Sequence, residues 1–383
     1  MSVDNGTPKR WSRRRTFLVT GTVAAGIAAG ALGTAMALAG TPVAKAPAAG
    51  PADAGHASRA VISQAALTAI SKTAGTDPGY YAYLAAAGGD EVVEVNVSAA
   101  SIVGTFSADS TEGVAAAPDG SEIYIAETGQ YYVLAVNPAT KASKQIEVGA
   151  YPQDIAVSPS GKVVYATVTS GDTGPGGSAI VAVIDPSTDT VTGDIRVGAG
   201  PRQVVFSPDG STAYVTTETG ITVIDVATSR VTRVIPDPAG PQGIAVSPDG
   251  KTLYVTNANA GTLLEVDAAS GAVTGSVAAG AEPYAVAVTP NGSTLYVADM
   301  NSDSVSVLSA ATLKVTGTIS VGRLPMSVSV SPDGSQVWVG NGYSGSVSVI
   351  NAATGTIVAT VGGGPGTSTL DAAITDIAFA PAP

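Results

Sequence analysis

A proline-containing turn recurs along this chain of 383 residues. It reads Ser-Pro-Asp-Gly or a close variant, and its prolines stand at positions 118, 159, 208, 248, 290 and 332, with Pro381 near the end. Proline presets the first turn dihedral, aspartate bonds the nearby backbone, and glycine adopts the dihedral that other residues avoid. A repeat of about 42 residues indicates a repeat architecture, so it restricts the fold before any other feature does.

Each repeat predicts four short strands. In the unit around Pro248, PQGIAVS is followed by the turn, then by TLYVTN, TLLEVD and AVTGSVAAG, with short polar loops between them. These segments are rich in β-branched and apolar residues, as strands are. Four antiparallel strands in about 42 residues describe one blade of a β-propeller.

The number of blades follows from the second strand, which an aromatic residue marks seven times: Tyr83, Tyr124, Tyr165, Tyr214, Tyr254, Tyr296 and Trp338. The first strand also occurs seven times, but the repeat begins with strands two to four and ends with a lone first strand over 376–380. The sequence therefore predicts an all-β, seven-bladed propeller of four-stranded antiparallel blades. The C-terminal strand closes the ring by joining the N-terminal blade, which covers two sheet edges.

The N-terminal segment has the composition of an export signal. Basic residues precede an apolar stretch from Phe17 to Ala39, and Arg14-Arg15-Thr16-Phe17-Leu18 resembles the twin-arginine signal. We expect residues 1–39 to direct the folded chain to the cell envelope or outside the cell. An uncleaved membrane anchor is the alternative, because the stretch is long enough to span. Residues 40–77 are predicted to form an Ala/Pro/Gly-rich linker with a short helix over 60–72, and 78–383 the propeller.

Charge and composition exclude several functions. Residues 1–39 hold five of the 18 basic and one of the 30 acidic residues, so the remainder has a net charge of −16. Nucleic acid is therefore not an expected partner. The chain has no cysteine, and its only histidine, His56, lies in the predicted linker. A Ser-His-Asp triad, a Cys-His pair and a His-ligated metal are thus not available in the repeats, which argues against an enzyme.

The repeats resemble a known family. Tyr254-Val255-Thr256-Asn257 spells the motif of the YVTN β-propellers, and the likeness extends from about residue 80 to 380. The resemblance implies a propeller that is similar to the lactonase-like superfamily. Such propellers include secreted or surface binding proteins, lactonase-like hydrolases and a streptogramin-type lyase. The enzymes use histidine in their sites, and no residue of these repeats matches it.

Candidate site residues lie on the face that carries the loops from fourth to first strands and from second to third strands. They interrupt the repeat with polar groups: Glu127, Gln153, Asp154, Arg202, Gln203, Gln242, Glu282, Tyr284, Asp299, Arg323, Asn341, Tyr343 and Asp376. Glu112 and Met326 stand at the same mouth of the channel. Carboxylates, amides, arginines and tyrosines around a channel suit a small polar ligand, or a cation such as Ca²⁺ or Mg²⁺. The alternative is a solvated acidic funnel. The repeated turn carboxylates, such as Asp249, are interpreted as structural.

Three functions remain open. The first is an exported, monomeric binding or scaffold protein that holds a small ligand, or a protein or cell-envelope partner, at the channel mouth. The alternative is a lactonase-like or lyase-like enzyme in which two of Glu127, Asp154, Asp299 and Asp376 serve as acid and base. The third is a structural envelope component that makes its contacts through the blade edges.

Overall fold

The computed structural model of the chain describes residues 79–89, 91–98, 101–169, 179–237, 239–362 and 373–382. The predicted signal, linker and short helix lie outside the described residues. Within these ranges, no helix has the length and apolar character needed to cross a bilayer.

In the part of the chain that the structure describes, 28 strands form seven four-stranded sheets, here called blades 1 to 7. Blade 1 contains β1 (Tyr80–Ala87), β2 (Glu91–Asn96), β3 (Ser101–Ser107) and β28 (Ala373–Pro381). Blade 2 contains β4 (Thr111–Ala116), β5 (Ile123–Glu127), β6 (Tyr132–Val136) and β7 (Ser143–Glu147). Blade 3 contains β8 (Tyr151–Val157), β9 (Val164–Thr169), β10 (Ala179–Asp185) and β11 (Thr190–Arg196). Blade 4 contains β12 (Val204–Phe206), β13 (Thr212–Thr217), β14 (Gly220–Asp225) and β15 (Arg230–Pro236).

Blade 5 contains β16 (Ile244–Val246), β17 (Thr252–Asn257), β18 (Thr262–Asp267) and β19 (Val273–Ala278). Blade 6 contains β20 (Pro283–Val288), β21 (Thr294–Asp299), β22 (Ser304–Ser309) and β23 (Lys314–Ser320), with a 3-10 turn at Met300–Ser302. Blade 7 contains β24 (Pro325–Val330), β25 (Gln336–Asn341), β26 (Ser346–Asn351) and β27 (Thr356–Gly362).

The predicted ring closure is confirmed. β28 pairs antiparallel with β1, with Tyr80 opposite Pro381 and Ala87 opposite Ala373. It is the innermost strand of blade 1, in the place that β4, β8, β12, β16, β20 and β24 take in the other blades. The two ends of the propeller are therefore held together by backbone hydrogen bonds, without a disulfide.

The core lies between neighbouring blades. The aromatic residue of each second strand faces it, and Tyr83, Tyr124, Tyr165 and Trp338 are fully buried. One apolar cluster joins β1 and β28 to Trp338 of blade 7, so the closing blade packs on the last one. Successive strand residues point to opposite faces, so both faces of each blade contribute to such clusters.

The aspartates of the repeated turns are structural, as predicted. In blade 4, Asp209 Oδ1 accepts hydrogen bonds from the hydroxyl groups of Ser207 and Ser211, at 2.6 and 2.8 Å. Together with the amide of Ser211, these bonds lower the pKa of Asp209 to about 2. Asp249 accepts equivalent bonds from Ser247 and Lys251 in blade 5. The carboxylates of Asp209 and Asp249 therefore stabilise their own turns.

One buried ion pair joins blades 1 and 2. The Glu94 carboxylate, which is 2% exposed, accepts hydrogen bonds from Tyr83 Oη at 3.0 Å and from Lys141 Nζ at 2.7 Å. Lys141 Nζ also lies 4.4 Å from the centre of the Phe106 ring. A buried carboxylate needs such partners, because desolvation of an unpaired charge is costly.

Replacing Lys141 with methionine is expected to lower the free energy of unfolding by about 2 kcal/mol, since Glu94 then keeps its burial without its cation. Lys141 is half-exposed, which limits the loss. The measurement is urea unfolding of the wild type, K141M and the double variant E94Q/K141M. The double variant should regain much of the loss. Equal stability of K141M and the wild type would show that the pair contributes nothing.

Candidate functional site

The innermost strands of the seven blades surround the central channel. Six residues before each turn proline, one residue per blade faces the channel, and we call this set the channel ring: Thr375, Glu112, Gln153, Arg202, Gln242, Tyr284 and Met326. Together with neighbouring residues of the same strands, it lines a cavity of about 180 Å³. The repeat therefore builds a single site from seven different side chains.

Backbone irregularities expose the channel ring. In blades 1, 3, 6 and 7 the pairing of the innermost strand shifts by one residue at Thr375, Gln153, Tyr284 and Met326. A β-bulge leaves the extra residue out of the ladder and redirects its side chain. In blades 4 and 5, Arg202 and Gln242 precede the strand instead. The bulges explain why these residues face the channel while the ladder continues beneath them.

Five residues before each turn proline lies a second set, the seam ring, which reaches toward the next blade: Asp376, Gly113, Asp154, Gln203, Gly243, Ala285 and Ser327. Its longer polar members accept a backbone hydrogen bond from that blade. Asp376 Oδ2 accepts from the Val114 amide at 2.9 Å, and Asp154 Oδ2 from the Val204 amide at 2.8 Å. Gln203 Oε1 accepts likewise from the Ile244 amide at 2.7 Å. Because a neutral glutamine accepts the same hydrogen bond as the two aspartates, this bond between blades does not require a negative charge on the acceptor.

The two seam-ring aspartates lie on either side of β4. An ideal Cβ on Gly113 of this strand would stand 2.9 Å from Asp154 Cα and 3.1 Å from Asp154 Oδ1. Only glycine permits this approach of β4 and β8. The glycine in the seam ring of blade 2 thus brings the carboxyls of blades 1 and 3 into electrostatic contact.

Both carboxyls hold their protons more tightly than usual. Burial raises the pKa of Asp376 to about 6, against the backbone hydrogen bonds from Val114 and Ile377. Burial, and then the Asp376 carboxylate, raise the pKa of Asp154 well above its usual range. Two carboxyls that share a desolvated site lose their protons in separate steps. Asp154, whose pKa is raised further, is therefore the second of the pair to lose its proton, so Asp154 is the better candidate for an acid and Asp376 for a carboxylate base.

The cavity also holds a cation and an aromatic group. Arg202 is exposed to the channel, and none of the ion pairs among the described residues involves it. Burial raises the pKa of Tyr284, while the Arg202 charge lowers it and that of Glu112 raises it. These influences place the three side chains within electrostatic range of each other. Hydrogen bonds from Thr167, Thr216 and Thr256 to carbonyls of the next blade hold the backbone at Arg202, Gln242 and Tyr284.

Seven of the thirteen predicted site residues line the cavity: Gln153, Asp154, Arg202, Gln203, Gln242, Tyr284 and Asp376. The structure does not bring Glu127, Asp299 and Asn341 to the cavity, because their side chains are 0–1% exposed beneath the surface loops. Asp299, for example, accepts hydrogen bonds from Ser306 Oγ and the Gly280 amide.

The remaining three predicted residues, Glu282, Arg323 and Tyr343, belong to rim loops of blades 6 and 7 and do not line the cavity. Glu282 accepts a hydrogen bond from Asn301 Nδ2. The Arg323 guanidinium lies over the Tyr343 ring, 4.1 Å from its centre. These contacts order the rim of the channel mouth.

Sequence reasoning missed Thr375 and Ser327, which also line the cavity. Ser327 Oγ is buried and has no hydrogen-bond partner within the described residues. The signal was present in the repeat. Aligning the seven innermost strands on their turn prolines places Thr375 beside Glu112 and Ser327 in the register of Asp376.

Within the described ranges, no group of three or more histidine, cysteine, aspartate or glutamate side chains is arranged to hold a metal ion. The expectation of a Ca²⁺ or Mg²⁺ ligand stays a prediction.

Comparison with known proteins agrees with the fold and finds a similarity to one family over part of the chain. The family described as "Lactonase, 7-bladed beta-propeller" matches two overlapping segments, residues 181–310 and 255–363. No curated protein sequence matches the chain.

Several solved structures have the same fold. Hydrazine synthase of Kuenenia stuttgartiensis is 25% identical with a TM-score of 0.62, over 69% of this chain and 90% of that one. A putative 6-phosphogluconolactonase of Bacteroides fragilis is 16% identical with a TM-score of 0.63, over 80% and 99% of the two chains. A functionally unknown protein of Desulfotomaculum acetoxidans is 13% identical with a TM-score of 0.66, over 79% and 99%. At 16% and 13% identity, the last two show the fold alone.

The chain is a seven-bladed β-propeller that is similar to the lactonase propeller family over residues 181–363, and it holds an acidic pair and an arginine in a small cavity at its channel mouth.

Proposed function

We propose that this lactonase-like propeller hydrolyses a lactone, a cyclic ester, in the channel-mouth cavity. One observation carries the proposal: Asp154 and Asp376, held on either side of Gly113, line the same cavity as Arg202. Ester hydrolysis needs a base for the attacking water, a positive group for the carbonyl oxygen and an acid for the leaving oxygen. These three side chains supply the three groups without histidine.

The chemistry balances with these groups. Asp376, as carboxylate, removes a proton from water while the water oxygen bonds to the lactone carbonyl carbon. The Arg202 guanidinium stabilises the negative charge that develops on the carbonyl oxygen. The ring C–O bond then breaks, and neutral Asp154 donates its proton to the departing oxygen. The product is the open hydroxy acid, and transfer of a proton from Asp376 to Asp154 restores the pair.

The lactonase family match over residues 181–363, a range that contains Arg202, supports a lactone as the substrate class. The absence of histidine from the repeats indicated a binding or scaffold protein. The family match favours the alternative, a lactonase-like enzyme.

A binding protein remains the second candidate, on one specific observation. Gln203 makes the same hydrogen bond to the next blade that Asp154 and Asp376 make. The carboxyls thus have a structural role that needs no catalysis. In that case the cavity holds a small polar ligand between its acidic side and Arg202, and no bond is broken.

The test is release of acid from a panel of five- and six-membered lactones, measured by pH-stat titration. We expect turnover by the wild type, and a fall of about 100-fold in kcat/KM in Arg202→Met, because the oxyanion loses its positive partner. Lys251→Met, on the opposite face and 79% exposed in its side chain, is the matched control and should be unchanged. No turnover of any lactone would favour the binding protein, and turnover that Arg202→Met leaves unchanged would reject Arg202 as the oxyanion partner.

A further inference from the structure

A tyrosine of blade 2 occupies a backbone position that favours glycine. Tyr131, in the loop between β5 and β6, has a φ of +67°. The same repeat position in blades 5 and 7 is Gly261 and Gly345, and in blade 6 it is Asp303, all with positive φ. A bulky side chain is unfavourable in this left-handed region. Such an outlier, retained where the repeat offers glycine, points to a function of the side chain.

The ring of Tyr131 has no place in the core. It is 44% exposed and lies edge-on to Tyr151, with 4.7 Å between the ring centres and 3.1 Å between the hydroxyl oxygens. Burial in the core therefore does not explain the unfavourable backbone. We call the two rings the tyrosine platform.

Tyr151 of the tyrosine platform lies on the strand that leads to the cavity. Tyr151 begins β8, two residues before Gln153 and three before Asp154, which both line the cavity. Thr128 Oγ1, in the Tyr131 loop, donates a hydrogen bond of 2.5 Å to the Pro152 carbonyl, so the loop is fixed to this strand. The platform is thus held at the rim beside the acidic pair.

Polar groups accompany the rings. Gln130, next to Tyr131, donates through Nε2 to Asp109 Oδ2 at 2.7 Å, and both side chains are exposed. Aromatic faces beside amide, carboxylate and hydroxyl groups suit a ligand with both apolar C–H faces and hydroxyl groups. A sugar ring has this combination.

We propose that the tyrosine platform binds the second sugar of a glycosyl aldonolactone, an oligosaccharide whose end unit is oxidised to a lactone. This inference rests on the proposed function and names its substrate class. The cavity, at about 180 Å³, is smaller than the roughly 300–1,000 Å³ of ordinary ligand pockets, so it admits one small ring. The rest of a larger substrate must leave the cavity at its rim, and the platform lies there.

Calorimetry with two stable product acids tests the platform. The ligands are gluconate and the aldonic acid of a β-1,4-linked glucose disaccharide. We expect the wild type to bind the disaccharide acid about fivefold to tenfold more tightly, since ring contacts of this kind supply that difference. Tyr131→Gly should abolish the preference while leaving the unfolding temperature unchanged or higher, because glycine relieves the backbone. Tyr131→Phe keeps the ring and should keep the preference.

Three results would contradict the proposal that the tyrosine platform binds a sugar. They are equal binding of the two acids by the wild type, failure of both acids to bind, and a preference that survives Tyr131→Gly. Hydrolysis of glucono-1,5-lactone, compared in the wild type and Arg202→Met, tests the proposed function separately. A preference for the disaccharide acid without hydrolysis would support sugar binding at the platform and reject the lactonase activity. Hydrolysis without that preference would support the lactonase activity and reject sugar binding at the platform.

Discussion

Deletion of residues 373–383 is expected to destroy the cooperative fold of the propeller. These residues include all of β28, the innermost strand of blade 1. Ile374 and Ile377 are 5% and 4% exposed, and burial of each such side chain contributes about 1.5–3 kcal/mol. Loss of the β1–β28 hydrogen bonds and of the Asp376–Val114 bond adds to this. A protein domain is stable by only about 5–15 kcal/mol, so the combined loss of these contacts is a large part of the total stability.

The measurement is thermal unfolding followed by circular dichroism, for the wild type and the truncated chain. We expect the truncated chain to melt at least about 15 °C lower or without a cooperative transition, since the ring is open and β1 becomes an edge strand. Deletion of Pro383 alone leaves β28 whole and is the control. Addition of a peptide with the sequence of residues 373–383 should restore the transition. An unchanged melting temperature in the truncated chain would mean that β28 does not close the ring.

Asp376→Asn is expected to reduce lactone hydrolysis by about 100-fold to 10,000-fold, the usual contribution of a positioned general base. The asparagine carbonyl can still accept the hydrogen bond from the Val114 amide, as Gln203 does from Ile244. The fold should therefore persist, and the melting temperature should stay within a few degrees of the wild type. Asp376→Ala, by contrast, leaves that amide unpaired and should also lose about 1–3 kcal/mol of stability.

Asp249→Asn is the matched control, because it makes the same chemical change in a turn on the opposite face. It should leave kcat unchanged. Full activity of Asp376→Asn would reject Asp376 as the base and leave its carboxyl with only the structural role.

Asp376→Asn should also change the pH dependence of the free energy of unfolding. The pKa of Asp376 is about 6 in the folded chain and about 3.9 in an unfolded one. The unfolded chain therefore gives up this proton first, and the unfolding free energy of the wild type falls by about 2 kcal/mol as pH rises from about 4 to 6. Asp376→Asn lacks the group, so its urea midpoint should vary less over this range than that of the wild type. Parallel curves would contradict the raised pKa.

The candidate site was only partly predictable from the residues. Asp154, Arg202 and Asp376 stand at the first-strand mouths, and counting from the turn prolines places them at the channel. Glu127, Asp299 and Asn341 end their second strands with similar polar groups, yet these side chains are buried. The sequence pattern locates a residue along the strand, but whether a side chain faces the channel or a neighbouring loop depends on packing.

The sequence by itself determined the number of blades, the order of their strands and the closure of the ring. These follow from a periodic turn and a lone final strand, which are local signals that each repeat carries. Only the tertiary structure decided that Asp154 and Asp376 act on one another across Gly113, and that Tyr131 stands exposed at their rim. Such pairings join different blades, and a pKa depends on the burial and charge around it in three dimensions, which no single repeat encodes.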